Sequence, residues 1–196
     1  RRLELYNYTN MKSPLSYLPI ASGFLVLVLS LAVGVLTVTS KNTNQQTTTK
    51  AAETAASFSL SPAVGDYTYQ SGATYPVGII MDSSGHSVDG VDVIINFDPK
   101  KAKVVDTKVS AATLFENVLV NSVDNVKGQI KFSGVTFNPK PLTGIVGTFR
   151  FQPLSTGTVT FTFDYIPKAT TDSNIAEHGT AVDVLGNVTN GNYAFK

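Results

Sequence analysis

The sequence predicts an all-β domain, a sandwich or barrel, standing behind a separate apolar N-terminal segment. Three observations predict it. From Phe58 on, segments of four to nine residues are rich in Val, Ile, Phe, Tyr and Thr, and Gly, Asn, Asp, Ser and Pro interrupt them every eight to twelve residues. No strong helical period occurs after residue 57, although Ala111–Asn117 has room for one short turn. The long uncharged run, Leu15 to Val38, lies wholly outside that region.

Taken in chain order, residues 1–14 form a polar N-terminal segment and residues 15–39 a transmembrane helix or signal anchor. The 24 residues from Leu15 to Val38 carry no charge. At about 1.5 Å per residue, a helix of that length crosses the hydrocarbon core of a bilayer. Arg1, Arg2 and Lys12 precede it, which favours a cytoplasmic N-terminus and an extracellular C-terminal domain in a single pass. A cleaved signal peptide is the competing reading. Met11-Lys12 would be its start and Val38-Thr39-Ser40 its small-residue cleavage point, but the apolar run exceeds the usual signal core. A pilin-like filament helix fits less well, because its apolar run would begin at the mature N-terminus.

Residues 40–57, SKNTNQQTTTKAAETAAS, have no aliphatic side chain larger than alanine. They cannot bury enough apolar surface to offset their ordering entropy, so they read as a flexible tether. Residues 58–196 are the globular domain. Strands are expected near 58–61, 66–70, 74–82, 88–97, 102–109, 117–123, 128–136, 144–153, 157–165 and 191–195. Val91, Val93, Ile95 and Phe97 alternate with Asp92 and Asn96, and Ile94 breaks the polar face. Asp124–Gly128 reads as a hairpin connection, and Ser83–His86 and Leu154–Gly157 read as turns.

Charge follows the same division. Residues 1–57 carry five basic groups against two acidic, and residues 58–196 carry ten against twelve, so the formal +1 of the chain conceals +3 and −2. That balance lacks the basic excess of a nucleic-acid footprint. With no cysteine there is no disulfide framework, thiolate metal site or cysteine nucleophile. Eleven phenylalanines and the aliphatic residues must build the core, since tryptophan is absent.

Several motifs then occur in a suggestive order: VDGVDVIINFDPKKAKVVDTKV, TLFENVLVNSVDNVKGQIKFSGVTFN, GIVGTFRFQPLSTGTVTFTFD and AVDVLGNVTNGNYAF. This order resembles a cohesin domain, of the superfamily that also holds carbohydrate-binding modules. Phe97-Asp98-Pro99-Lys100 resembles the family's strand end, Thr113-Leu114-Phe115 its loop around a buried Leu-Phe pair, and Val184–Gly191 the segment before its last strand. The resemblance implies a nine-stranded β-sandwich with jelly-roll topology and a non-catalytic role. It implies a dockerin-like protein or a polysaccharide as partner, bound at the cell surface. The chain departs from a cellulosomal scaffold in carrying one such domain without repeats.

The resemblance nominates a partner face of Asp92, Ile94, Asn96, Asn121, Gln129 and Lys131, against the alternative of a solvated sheet face. Tyr67 and Tyr69, two residues apart on one strand face, are the carbohydrate-stacking candidates, with core packing as the competing role. Asp98 and Asp106 are the only pair worth weighing as catalytic carboxylates, and Asp98 before Pro99 reads better as a turn cap. His178 beside Glu177, near Asp172 and Asp183, is a cluster with the residue types to hold a cation, against the alternative of an ordinary loop with scattered acids. No nucleophile elbow, phosphate loop or zinc motif occurs, so no catalytic residue, cofactor or metal is expected. A structural subunit of a surface filament or layer, assembled through the apolar helix, is the alternative from another class.

Overall fold

The computed structural model describes residues 55–106, 108–112 and 114–196. The expected N-terminal segment, membrane helix and most of the tether lie outside the described residues. Among those described, no helix is long and apolar enough to cross a membrane.

Eleven strands account for the domain: β1 Ala56–Ser61, β2 Val64–Tyr67, β3 Tyr75–Phe97, β4 Ala102–Val104, β5 Ser110–Ala111, β6 Asn117–Asp124, β7 Gln129–Pro153, β8 Gly157–Phe163, β9 Asn174–Glu177, β10 Leu185–Thr189 and β11 Gly191–Phe195. Two of them, β3 and β7, run antiparallel to each other through the whole domain, from Tyr75↔Phe151 to Asn96↔Gln129. Each serves two layers. The first half of β3 and the second half of β7 belong to a back layer, flanked by β1 and β10 on one side and by β4 and β5 on the other. Their other halves belong to a front layer, flanked by β6 on one side and by β8 and β9 on the other, with β11 and β2 beyond β8.

Sequence alternation accounts for the layers' inner faces. Val77, Ile79 and Met81 from the back half of β3 are buried, as are Val93 and Ile95 from its front half. Phe132, Phe149 and Phe151 from β7 and Val159 and Phe161 from β8 complete this interior. The layers meet through rings. Phe161 of the front layer lies 5.1 Å from Phe149 and 5.0 Å from Phe151 of the back layer, centroid to centroid. Phe58 of β1 stacks on Phe163 of β8 at 5.7 Å.

The long strands correct the expected division at Ser83–His86. That segment turns locally, with Ser84 and Gly85 at φ 51° and 92°, yet it does not end the strand. The register steps from Asp82↔Thr143 to Ser87↔Pro141, so four residues of β3 bulge opposite Leu142. The buried Ser83 hydroxyl accepts the Leu142 N–H at 3.0 Å, replacing a lost ladder bond. The tether also ends earlier than its composition suggests. Ala56 is fully buried and donates its N–H to Val184 O at 3.1 Å, so β1 begins within the small-residue run. The strands β9 and β10 have no counterpart among the expected ones, and the expected 102–109 strand is reduced to β4, with the two-residue β5 lying just beyond it. The hairpin at Asp124–Gly128 is present, with Gly128 at φ 70° and Asp124 Oδ1 accepting the Val126 and Lys127 N–H groups.

Between β4 and β5 the chain leaves regular pairing, and two asparagines four residues apart hold it. Asn121 accepts the Val109 N–H at 2.7 Å and donates to Val109 O at 2.8 Å. Asn125 makes the same pair of bonds with Val104, at 2.9 and 2.8 Å. Each amide thus imitates one rung of a strand. Replacing Asn121 by Ala leaves both Val109 groups short of a partner and should cost about 1–3 kcal/mol in chemical denaturation.

Asp106, in the same crossing, accepts from Arg150 Nη2 at 2.9 Å and from the Arg150 backbone N–H at 2.9 Å. The Arg150 side chain holds the Asp106 carboxyl below its ordinary 3.8. A carboxyl depressed on folding contributes stability above its unfolded pKa and loses it as pH falls through the folded value. Arg150→Gln should therefore lower stability at pH 7, with the difference from wild type vanishing at acid pH in parallel denaturant titrations.

Candidate functional site

The front layer presents a flat run of three cross-strand rows. Inward burial of Val91, Val93, Ile95 and Phe97 forces Asp92, Ile94 and Asn96 outward. Register then sets their neighbours. Asp92 lies between Asn174 and Ser133, Ser133 facing Val120 in turn. Ile94 faces Lys131, and Lys131 faces Ser122. Asn96 faces Gln129, and Gln129 faces Asp124. Five of the six nominated partner residues, Asp92, Ile94, Asn96, Gln129 and Lys131, thus share this face.

Asn121 does not. It pairs with Phe132, and both point into the sandwich, where Asn121 is committed to Val109. The bulge between Val118 and Val120 shifts the alternation of β6 by one residue, which a strict period-two reading cannot anticipate. The same bulge leaves Val118, Leu119 and Val120 all exposed, with Leu119 at 67%. Sequence reasoning passed over this apolar trio, although three consecutive aliphatics on a strand were its visible signal.

Several polar groups on the face satisfy one another. The Ser133 hydroxyl donates to Asp92 Oδ1, and Gln129 Nε2 donates to Asn96 Oδ1 at 3.0 Å. Beside Ile94 the ladder is interrupted: Asp164, just past β8, still donates its N–H to Ile94 O at 2.8 Å, but residues 165–172 swing out before β9. Ser173 fills the gap: its hydroxyl accepts the Ile94 N–H at 3.0 Å and donates to Ile94 O at 3.1 Å. The swing produces a concavity of 410 Å³ bordered by Asp92, Ile94, Val120, Lys131 and Asp172. A second, of 210 Å³, runs beside it between Leu119 and Ala176 over Gly90 and Gly134. This floor depends on glycine. A Cβ on Gly134 would stand 2.8 Å from the ring of buried Phe115.

Tyr67 and Tyr69 both pack against the core. Tyr67 packs against Tyr75 at 4.6 Å and Phe195 at 5.5 Å, and both tyrosines lie half-buried on the core. Tyr69 donates its hydroxyl to Leu154 O at 3.2 Å. Asp98 accepts the Lys100 N–H at 2.8 Å, a turn cap, while Asp106 belongs to Arg150. His86 meets Glu177 at 2.8 Å and His178 meets Asp89 at 2.7 Å, so each histidine joins β3 to the chain at the end of β9. Among the described residues no three His, Asp or Glu side chains converge as a ligand set. The carboxyl shifts, down at Asp106 through Arg150 and down at Asp124 through the Lys127 N–H, reflect bonds within the fold. The face thus combines apolar side chains with polar ones, of which Asp92, Ser133, Asn96 and Gln129 are hydrogen-bonded among themselves.

No family model matches the chain, and no curated protein matches it. Solved structures do. A type I cohesin of the ScaB protein from Pseudobacteroides cellulosolvens superposes with a TM-score of 0.55 at 14% identity, covering 72% of this chain and 92% of its own. A chain of a type I cohesin–dockerin complex from Clostridium thermocellum gives 0.54 at 12% identity, covering 73% and 100%. A non-cellulosomal cohesin from the hyperthermophilic archaeon Archaeoglobus fulgidus gives 0.53 at 15% identity, covering 73% and 92%. The likeness is one of fold: the β-domain is a sandwich with the cohesin fold.

Gly134→Ala should force the Phe115 ring to move and cost about 1–3 kcal/mol, as overpacked cores do. A lowered denaturation midpoint with an unchanged m-value checks it.

Proposed function

We propose that this cohesin-fold chain is a non-catalytic recognition module that docks a dockerin-like protein on its front face. The observation that carries the reading is Ile94 at the centre of that face. It is a half-buried aliphatic side chain on the outward side of β3 amid Asp92, Asn96 and Lys131, beside a concavity that Val120 of the exposed Val118–Val120 run also borders. Apolar groups rimmed by satisfied polar ones form the usual anatomy of a protein contact. Solved structures of this fold include cohesin–dockerin complexes, which supports a dockerin-like partner. A polysaccharide has less support, because the rings of Tyr67 and Tyr69 pack on the core.

The location belongs to the same proposal. The uncharged run within residues 15–39 and the polar stretch after it suit a single-pass anchor with the β-domain extracellular. A protease applied to intact cells should release the β-domain if it is outside.

Binding of the full chain to a panel of dockerins and polysaccharides, by calorimetry, tests the docking. Ile94→Asp should weaken a dockerin-like partner at least tenfold, as expected of a desolvated contact near an interface centre. Thermal unfolding of the variant should stay near wild type, since the side chain points away from the core. Binding that survives Ile94→Asp at full strength would place the contact elsewhere.

A further inference from the structure

We propose that the concavity between Asp92, Asp172 and Asn174 is a binding site for a hard divalent cation, with Ca²⁺ as the best-fitting ion. Asp172 is only 5% exposed. One of its carboxylate oxygens, Oδ2, accepts the Ile166 N–H, and the other, Oδ1, has no hydrogen-bond partner. A buried carboxylate oxygen without a donor is costly, and a cation is one means of compensating it.

The surroundings supply the rest of a coordination set. Asn174 Nδ2 donates to Asp172 O at 3.2 Å and reaches Asp92 Oδ2 at 3.5 Å, which ties the two aspartates to one point of the sheet. Thr170 and Thr171 line the same concavity. The candidate ligands are oxygens, the carboxylates of Asp92 and Asp172 and the hydroxyls of Thr170 and Thr171, while Asn174 turns its amide N–H toward both aspartates and positions them. Oxygen donors without imidazole or sulfur select Ca²⁺ or Mg²⁺ over zinc or copper. A volume of 410 Å³ leaves room for retained waters, which favours the larger and more flexibly coordinated Ca²⁺. Two carboxylates make a modest site, in the range of extracellular calcium modules rather than cytosolic buffers. Lys131 borders the same concavity, so its ammonium competes with the ion.

Terbium luminescence on the full chain tests the site. The chain has eight tyrosines and no tryptophan, and Tyr165 lies in the same segment between β8 and β9 as Asp172, so a sensitiser is at hand. Tyrosine-excited Tb³⁺ emission should appear, Ca²⁺ should displace it, and millimolar Ca²⁺ should raise Tm. Asp172→Asn should abolish the site-specific emission. Asp92→Asn, an exchange outside the core, should weaken Ca²⁺ at least tenfold even if Asp172→Asn folds poorly. Lys131→Gln should strengthen it several-fold, while Asp106→Asn on the back layer should leave it unchanged. No displaceable emission, or emission equal to wild type in Asp92→Asn and Asp172→Asn, overturns the proposal. So does a Tm insensitive to Ca²⁺.

Discussion

Contact between aromatic rings across the two layers is the constraint on which the other features of this domain depend. Phe161 touches Phe97, Phe149 and Phe151, and Tyr193 lies 5.1 Å from Phe151. Without tryptophan or disulfides, fully buried rings such as Phe149, Phe151, Phe161 and Tyr193 supply the largest side chains of the core. Burial also pushes the Tyr193 hydroxyl far above its ordinary pKa, and its donation to Pro62 O at 2.7 Å keeps it satisfied. Once these rings face inward, period-two geometry determines what every neighbouring strand residue must do. The outward face of Asp92, Ile94 and Asn96 is a consequence of where Val93, Ile95 and Phe97 are anchored.

The domain repeatedly uses side chains in place of strands. Asn121 and Asn125 each close a rung with the crossing segment, Ser173 closes one at Ile94, and Ser83 meets Leu142. Each instance occurs where a strand bulges, ends or lacks its neighbour. A buried backbone N–H or C=O must find a partner, and short polar side chains supply it where the ladder cannot. This substitution allows the sheet to open beside Ile94 without leaving its backbone unpaired. The concavity on the front face is a product of that opening.

Much of this was legible in the residues. The all-β class, the buried alternation of Val91, Val93, Ile95 and Phe97, and the hairpin at Asp124–Gly128 all follow from local chemistry. So does the outward placement of Asp92, Ile94, Asn96, Gln129 and Lys131, since each sits in an unbroken stretch of strand. Asn121 escaped because the Leu119 bulge reverses its side, and a bulge exists only when a partner strand is present. β9 escaped because four residues, Asn174–Glu177, carry no period of their own and pair only against a β3 already in place. Ala56 looked like tether because alanine is equally at home in a tether and against a packed neighbour.

The sequence by itself therefore determined which side chains seek the interior and where the chain must turn, because both are properties of residues and their immediate neighbours. Only the tertiary structure decided that β3 and β7 pass unbroken through both layers. It also decided that Tyr67 and Tyr69 serve the core, and that Asp172 is buried beside Asp92 and Asn174 on an open face. The physical reason is common to all three. Each depends on which distant segment arrives alongside, and no local pattern encodes the arrival of a partner 80 residues away.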